Sequence, residues 1–276
     1  MNWYRNSRLV TIGVIKRIFG FAKVRYRGIA KNAHRLFVAC ALANLFMVPR
    51  DLGLFWRSAR TDARIKKLCA EKGARAAFEA AYDDLGDPWA SGAAEYCYQR
   101  HKYDTLIALL PQRRYAWALD LGCGLGLLSQ RLATRAEQVL GLDISESALV
   151  QARRTAAHLP NLRFKQADVL ALNPELAGQF DLVVVADMLY YLNPLSDELL
   201  ARLAAQIGGL LKPGGLCMLA NHYFFFGDPA SLLSRRIHRS FADSAELQLD
   251  AEYSRPFYLV SLLTRRALSA SAAAED

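Results

Sequence analysis

The chain has 276 residues, 53% of them hydrophobic, and its formal net charge is +9. This hydrophobic share and length are enough for a full buried core, which excludes an intrinsically disordered protein. The length exceeds that of one ordinary domain, so it predicts one domain with an additional segment.

The positive charge is concentrated at the N-terminus. Residues 1–80 contain 17 Lys and Arg against four Asp and Glu, and no acidic residue precedes Asp51. Residues 81–276 contain 18 Lys and Arg against 22 Asp and Glu. A charge break of this size indicates two pieces of different character, and we predict a basic helical extension over residues 1–54.

Residues 14–50 of this extension resemble the C-terminal end of IS5-type insertion-sequence transposases. The resemblance is carried by the stretch 14–32 and by the apolar helix predicted over 36–48, which ends in Pro49 and Arg50. Those enzymes cut DNA with metal-bound acidic residues, which a segment without an acid cannot supply. The resemblance therefore implies a fused fragment without transposase activity.

Other interpretations of the extension remain open. Basic sequence with aromatic residues can bind nucleic acid non-specifically. The apolar run 36–48 is too short to span a bilayer, but it can lie on an anionic membrane surface. An Arg-rich, acid-free N-terminus also resembles a targeting peptide.

Residues 55–115 are predicted to form a helical lead-in and lid. The pattern from Phe55 to Ala81 is mostly helical, and Asp87-Pro88-Trp89 interrupts it. A second helix is predicted from Glu95 to Leu110, directly before the first strand.

The most informative motif is a glycine loop that follows an apolar strand ending at Asp120. Gly122, Gly124 and Gly126 alternate with other residues, and a short helix is predicted over 127–132. Glycine is required where the backbone adopts a positive φ or must lie directly against a ligand. The G-x-G-x-G spacing differs from the dinucleotide pattern G-x-G-x-x-G and predicts a tight loop that touches a flat cofactor.

Four further strands alternate with predicted helices, and three of them end in an acid. They cover residues 138–144, 162–169, 180–187 and 215–221, and two more are predicted near 245–249 and 257–263. This alternation predicts an α/β fold, a Rossmann-like, mostly parallel sheet of seven strands with helices on both faces. Ligands bind at the carboxyl ends of such strands, where Asp143, Asp168 and Asp187 stand.

The series of motifs from Trp89 to the C-terminus resembles the class I S-adenosylmethionine (SAM)-dependent methyltransferases. The resemblance implies that SAM is the cofactor and that residues 116–268 form the SAM-binding domain, followed by a disordered tail over 269–276. It implies that the methionine part of SAM lies against Asp120, Gly122, Gly124 and Gly126. The ribose would be held by Asp143, and the adenine would contact Ile144, Asp168 and Val169. Asp187 and Met188 would face the methionine part and the acceptor.

Within that family, the chain resembles the nodulation protein S (NodS) type. The resemblance is carried by Asp87-Pro88-Trp89, by Glu95 with Arg100 and Tyr103, and by the segment 187–192 with its tyrosine pair. It implies N-methylation of the amino sugar of a chitin-type oligosaccharide. The spacing from Glu95 to Arg100 is wider than the family's, and the region after strand five differs.

Three side chains are candidates for catalysis. An amine or hydroxyl acceptor needs a free lone pair, so a base is useful, and His222 and His238 follow strand five. Tyr191 is a candidate to orient the acceptor. Each histidine can equally be a structural residue, and the aromatic run 223–226 can line an acceptor pocket or belong to the core.

Three functions are compatible with these features. The first is methyl transfer to a small-molecule or saccharide acceptor, on an amine nitrogen. The second is methylation of nucleic acid or protein, recruited by the basic N-terminus, and the third is a catalytically idle fusion that associates with DNA or a membrane. Base methylation is disfavoured because the segment 187–190 does not read Asn/Asp-Pro-Pro-Tyr.

The cysteines predict a reducing, cytoplasmic location. Cys40, Cys69, Cys97, Cys123 and Cys217 are odd in number and contain no C-x-x-C pair. No His, Cys and Asp cluster has metal-ligand spacing, so no metal is predicted. No feature predicts an oligomeric state.

Overall fold

The structure is a computed structural model that describes residues 49–93, 97–223, 229–255 and 257–267. Almost all of the predicted basic extension, including the transposase-like stretch up to residue 48, lies outside these residues. The predicted tail over 269–276 and the aromatic residues 224–226 lie outside them too. Within the described part, no helix is long and apolar enough to cross a membrane.

A seven-stranded sheet in the order β3-β2-β1-β4-β5-β7-β6 forms the centre of the fold. Strands β1 to β5 are parallel to one another, and β7 is antiparallel to both β5 and β6. The strands are β1 Tyr115–Leu121, β2 Ala136–Asp143, β3 Leu162–Gln166, β4 Phe180–Ala186, β5 Leu211–His222, β6 Leu247–Arg255 and β7 Tyr258–Arg265. The predicted Rossmann-like, mostly parallel sheet is confirmed.

Helices flank the sheet on both faces, as a mostly parallel sheet requires. In the described residues they are α1 Pro49–Lys72, α2 Ala74–Leu85, α3 Cys97–Leu109, α4 Leu127–Leu132, α5 Glu146–Thr155, α6 Asp197–Leu210 and α7 Pro229–Ala242. Short 3₁₀ helices follow β3 and β4.

Strand β4 lies at the centre of the sheet and is buried on both faces. Val183 and Val185 belong to one core with the α6 residue Leu203, whereas Leu182 and Val184 belong to the core on the opposite face. Successive strand side chains point to opposite faces, so burial on both sides requires the uninterrupted apolar run that the sequence shows.

The region from Phe55 to Ala81, predicted to be mostly helical, lies in two consecutive helices. Gly73 interrupts the helical region with a φ of +82°, and α1 and α2 meet there. The predicted third strand also stops early, at Gln166. The reason is that the Asp168 carboxylate accepts a hydrogen bond from the Leu170 amide (2.9 Å) and caps a 3₁₀ helix.

Helix α2 is attached to the sheet domain through Glu79. Its carboxylate accepts hydrogen bonds from the Ser145 hydroxyl (2.9 Å) and from the amides of Glu146 (2.7 Å) and Ser147 (3.0 Å) at the start of α5. The first amides of a helix have no partner within the helix, and a carboxylate there also interacts favourably with the helix dipole. This contact brings the lead-in helices against the carboxyl end of β2.

Candidate functional site

The glycine loop connects β1 to α4 in the conformation that the spacing predicts. Gly122, Gly124 and Gly126 have φ angles of +72°, +49° and +71°. A Cβ atom on Gly122 would lie 2.7 Å from the Met188 Cβ, and one on Gly124 would lie 2.7 Å from the Tyr82 hydroxyl. The loop therefore accepts no side chain at these positions and presents bare backbone to the cavity.

Asp143 ends β2 and supports this loop. Its carboxylate accepts hydrogen bonds from the Gly124 amide (2.8 Å) and the Ser145 amide (2.9 Å). Burial raises its pKa above the ordinary value, although these amide donors act in the opposite direction. The side chain also lines the cavity beside Ile144.

Asp120 and Gly126, at the two ends of the glycine loop, do not line the cavity. Asp120 is 2% exposed, accepts a hydrogen bond from the Ser129 hydroxyl (2.6 Å), and is not part of the cavity wall. Burial raises its pKa to about 7, with a further contribution from the charge of Asp143. A Cβ on Gly126 would lie 2.5 Å from the Phe164 ring. These two residues hold the loop in place and do not reach the cavity.

A cavity of about 820 Å³ opens at the carboxyl ends of the parallel strands. It brings together most of the predicted site residues: Gly122, Gly124, Asp143, Ile144, Asp168, Val169, Asp187, Met188, Tyr191 and His222. Helices α1, α2 and α3 contribute the opposite wall, with Phe78 and Lys102 among the residues that sequence reasoning did not select.

Lys102 and Asp187 form an ion pair within this cavity, in which Lys102 is buried and Asp187 is half-buried. The Lys102 ammonium donates to one oxygen of Asp187 and lies 5.2 Å from the centre of the Tyr258 ring. Only 3% of the Lys102 side chain is exposed. The other Asp187 oxygen is buried without a hydrogen-bond partner in the described part of the chain. Asp187 also has a φ of +53°, which is uncommon outside glycine.

A second polar centre, Asp62, was not predicted. Its Oδ1 atom accepts hydrogen bonds from the Trp89 indole (2.6 Å) and from the Tyr191 hydroxyl. Burial raises the pKa of Asp62, and it raises the pKa of Tyr191 well above the ordinary phenol value, so Tyr191 stays neutral. The Tyr191 proton is therefore committed to Asp62.

The rings around Asp62 form a contiguous cluster, which we call the aromatic box: Phe78, Tyr82, Trp89, Tyr190 and Tyr191. Successive ring centres are 5.8 Å (Tyr82 and Trp89), 6.0 Å (Trp89 and Tyr191) and 4.7 Å (Tyr190 and Tyr191) apart. Phe78 meets Tyr191 edge to face at 5.3 Å. All five line the cavity.

The two candidate histidines occupy different environments. His222 lines the cavity at the end of β5. His238 is 2% exposed, and its Nδ1 lies 2.7 Å from the Ser261 hydroxyl in the packing between α7 and β7. Burial, with the nearby charge of Arg235, lowers the pKa of His238 to about 3. The structure thus does not bring His238 to the cavity, where a proton acceptor would act.

Metal and disulfide chemistry find no support in the described residues. No group of three or more His, Cys, Asp or Glu side chains there could hold a metal ion. Cys69, Cys123 and Cys217 are buried free thiols.

The glycine backbone and the carboxylates that line the cavity suit SAM as a ligand. The glycine backbone leaves room for a ligand at the loop, and the unpartnered Asp187 oxygen can accept a hydrogen bond from an ammonium such as that of a methionine group. Asp143 stands at the strand position that holds ribose hydroxyls in α/β folds of this type. The sheet order and this loop together define the fold of the class I SAM-dependent methyltransferases.

Comparison with known proteins agrees with that fold. Residues 118–215 match the methyltransferase domain family. The chain is 42% identical over 120 residues to the trans-aconitate 2-methyltransferase of Deinococcus radiodurans, a match covering 42% of this chain and 43% of that protein. It is 30% identical over 132 residues to nodulation protein S of Rhizobium tropici, covering 47% and 52%. The chain thus spans about half the length of the curated relatives it matches.

Solved structures give the same result. The N-methyltransferase NodS of Bradyrhizobium japonicum, in complex with S-adenosyl-L-homocysteine, aligns with a TM-score of 0.55 at 19% identity, covering 66% of this chain and 93% of that one. A putative methyltransferase from Pseudomonas syringae aligns with a TM-score of 0.50 at 28% identity, covering 61% and 99%. The described part of the chain therefore has the methyltransferase fold, and residues 118–215 match the methyltransferase domain family.

Proposed function

We propose that the protein transfers the methyl group of SAM to a small-molecule or saccharide acceptor, on an amine nitrogen. The observation that carries the proposal is the cavity itself, which joins the glycine loop to the aromatic box under the lead-in helices. Its volume of about 820 Å³ is in the range of small-ligand sites. Part of that volume is needed for SAM, which leaves room for a limited acceptor group.

SAM, when bound, supplies a methyl group on a sulfonium sulfur that leaves without needing a proton. The protein's task is then mainly to position the acceptor in line and to exclude water. Gly122, Gly124 and Asp143 would hold the cofactor, and the wall from α1 and α2 would cover it. Asp120 positions the loop through Ser129.

An amine acceptor that binds as an ammonium must first lose a proton, because only the neutral amine has a lone pair for the methyl group. His222 is the candidate to accept that proton, because it lines the cavity and carries an imidazole, the side chain most often used for proton transfer. Tyr191 is better suited to a positioning role, since its hydroxyl already donates to Asp62.

The acidic balance of the cavity favours an amine over an acid. Among the described residues, its wall includes five aspartates, Asp62, Asp87, Asp143, Asp168 and Asp187, and two lysines, Lys66 and Lys102. One of these cations, Lys102, is already paired with Asp187. A positively charged acceptor is therefore attracted to this site.

Transfer to a carboxylate oxygen is the second candidate. Two observations favour it. Lys66 lines the cavity and carries a positive charge that can attract a carboxylate, and one relative is named a trans-aconitate 2-methyltransferase. The two candidates differ in the charge of the acceptor, so one screen separates them.

Methylation of nucleic acid or protein, and an idle fusion, remain alternatives that rest on the basic N-terminus. The family match at residues 118–215 does not extend to the transposase-like stretch 14–50, which stays a prediction. As part of the proposed function, we also propose a cytoplasmic location. Removal of residues 1–48 should leave SAM binding and methyl transfer intact. If either activity were lost on removal, the result would favour these alternatives.

The test is transfer of labelled methyl from SAM to a panel of acceptors. The panel contains glucosamine, chitosan oligosaccharides, simple amines, trans-aconitate, nucleic acid and a protein substrate mixture. We expect an amine in the panel to become labelled, and we expect its matched alcohol and its N-acetyl derivative to stay unlabelled. Label on trans-aconitate alone would favour the second candidate, and no label on any acceptor would overturn the proposal.

A further inference from the structure

Asp62 is the carboxylate at the centre of the aromatic box. Its Oδ1 accepts hydrogen bonds from Trp89 and Tyr191, and the charge of Lys66 acts on it as well. The carboxylate lines the cavity and is held by two rigid side chains. A half-buried carboxylate is stabilised by a counter-charge, and an ammonium group supplies that charge together with hydrogen-bond donors.

The rings beside Asp62 already hold a cation in this structure. The Lys66 ammonium lies 5.1 Å from the centre of the Tyr190 ring and 5.8 Å from that of Tyr191. These distances are within the range of a cation–π interaction. The box therefore has the geometry and the surface chemistry of an ammonium site.

The box lies next to the predicted cofactor loop. A Cβ atom on Gly124 would lie 2.7 Å from the Tyr82 hydroxyl, and the rings continue through Trp89 to Tyr191. On the far side, the charge of Asp187 acts on Asp62 and contributes to its raised pKa, which indicates that the two carboxylates share one region of the cavity.

We infer that the aromatic box and Asp62 form the seat for the positively charged amine of the methyl acceptor. This assignment rests on the proposed function and names the group that the site recognises. Asp62 supplies the counter-charge, and the rings of Trp89, Tyr190 and Tyr191 supply the walls. The Lys66 ammonium occupies part of this seat until an acceptor displaces it.

An anionic acceptor fits this seat less well. It would have to approach Asp62, a like charge, and the negative faces of the tyrosine rings. Lys66 is the cation nearest to the rings, and Lys102 is committed to Asp187. The local balance therefore favours an ammonium.

The assignment is tested with choline as the probe. Its quaternary nitrogen has no lone pair and cannot accept a methyl group, so binding is measured without turnover. The control ligand is 3,3-dimethyl-1-butanol, which has the same shape without the charge. In calorimetry on the full chain saturated with S-adenosyl-L-homocysteine, we expect choline to bind at least tenfold more tightly than the alcohol.

Three variants locate the binding. Asp62→Asn should abolish the preference for choline, and Lys66→Met should strengthen choline binding severalfold because the resident ammonium is gone. Asp250 is an exposed acid outside the cavity wall, so Asp250→Asn should leave the affinity for choline and the preference over the alcohol unchanged. Gain of affinity in Lys66→Met cannot arise from misfolding, so the result holds even if Asp62→Asn is unstable.

Equal binding of the two ligands, or an unchanged preference in both cavity variants, would overturn the assignment. Tighter binding of trans-aconitate than of choline would overturn it in favour of an anion site. Failure of the proposed function is a separate result: choline would then bind, with the expected response to the variants, while no amine receives label from SAM.

Discussion

The ammonium of Lys102 and the carboxylate of Asp187 link helix α3 to the loop after β4 inside the cavity. The two residues are distant in sequence, and Lys102 is almost fully buried. This pair ties helix α3 to the cavity wall, and the second Asp187 oxygen is buried without a hydrogen-bond partner among the described residues.

Replacing Lys102 by Met should destabilise the fold. Met fills much of the same volume but leaves the Asp187 carboxylate without its counter-charge, and breaking a buried pair from one side costs about 3 kcal/mol. Urea unfolding of the cofactor-free protein measures the loss. A loss below about 0.5 kcal/mol would mean that the pair contributes nothing.

The double variant Lys102→Met with Asp187→Asn is the control. It removes both charges, so it should recover much of the stability that Lys102→Met alone loses. Simple addition of the two single effects would show that the residues act independently.

Gly122→Ala should greatly weaken SAM binding. The new Cβ meets the Met188 side chain at the cavity wall, and the positive φ adds backbone strain of about 1 kcal/mol. Wild-type protein should gain about 2.7 kcal/mol of stability when SAM is at one hundred times its Kd. At the same SAM concentration, a thermal shift assay should show most of this gain lost in the variant.

Gly214→Ala is the matched control for the loop. Gly214 has a φ of +73° and open space around its would-be Cβ, and it lies away from the cavity. It should carry the same backbone strain while keeping the full response to SAM. An equal loss of response in both variants would attribute the effect to strain and not to the loop.

The sheet and the glycine loop could be predicted because their signals are local. A run such as Val183-Val184-Val185 is long enough to identify a strand buried on both faces, and the glycine spacing fixes the turn that follows β1. The ends of the strands were less predictable, since β3 stops where the Asp168 side chain captures a backbone amide.

The acceptor side could not be predicted because its residues meet only in the folded chain. Asp62, Trp89 and Tyr191 come from three separate segments, and nothing in the local pattern around Asp62 distinguishes it from an exposed helical acid. His238 shows the converse: its sequence position after strand five resembles that of His222, yet α7 buries it against Ser261.

Asp120 should make the cofactor-free protein less stable as pH rises. Its pKa is raised in the folded state from 3.8 to about 7, so the folded protein binds a proton that the unfolded chain releases. This stabilisation is complete below pH 3.8 and is lost as pH rises through 7, an effect on the order of 4 kcal/mol.

Asp120→Asn isolates this effect, because the Asn oxygen can still accept the Ser129 hydrogen bond. Relative to wild type, the variant should gain stability between pH 4 and pH 8 in urea titrations. Asp250→Asn, at an exposed site, should run parallel to wild type. Parallel curves for Asp120→Asn would mean that this carboxyl is ionised in the folded protein.

The two histidines should separate catalysis from stability. His222→Gln should lower kcat at least tenfold if the imidazole accepts the acceptor's proton. His238→Gln should leave kcat within about twofold, because that residue lies outside the cavity wall. A large loss of kcat in His238→Gln, with its folding unchanged, would contradict this assignment.

His238 should instead control acid stability. Its pKa is lowered from 6.5 to about 3, so the folded protein keeps it neutral while the unfolded chain takes up a proton. The stabilisation is present above pH 6.5 and is lost as pH falls toward 3. His238→Gln should therefore lose less stability than wild type between pH 7 and pH 4 in denaturant titrations.

Glu79→Gln should loosen the lead-in helices. The carboxylate closes the N-terminus of α5 with three hydrogen bonds, and loss of its charge weakens each of them and the interaction with the helix dipole, by about 1 to 2 kcal/mol in total. Because α1 and α2 cover the cavity, hydrogen–deuterium exchange over residues 61–85 should increase, and SAM affinity should fall. Asp83→Asn is the matched control, since Asp83 contacts only the Ser147 hydroxyl of α5. Equal exchange in the two variants would show that Glu79 has no special part in holding the helices over the site.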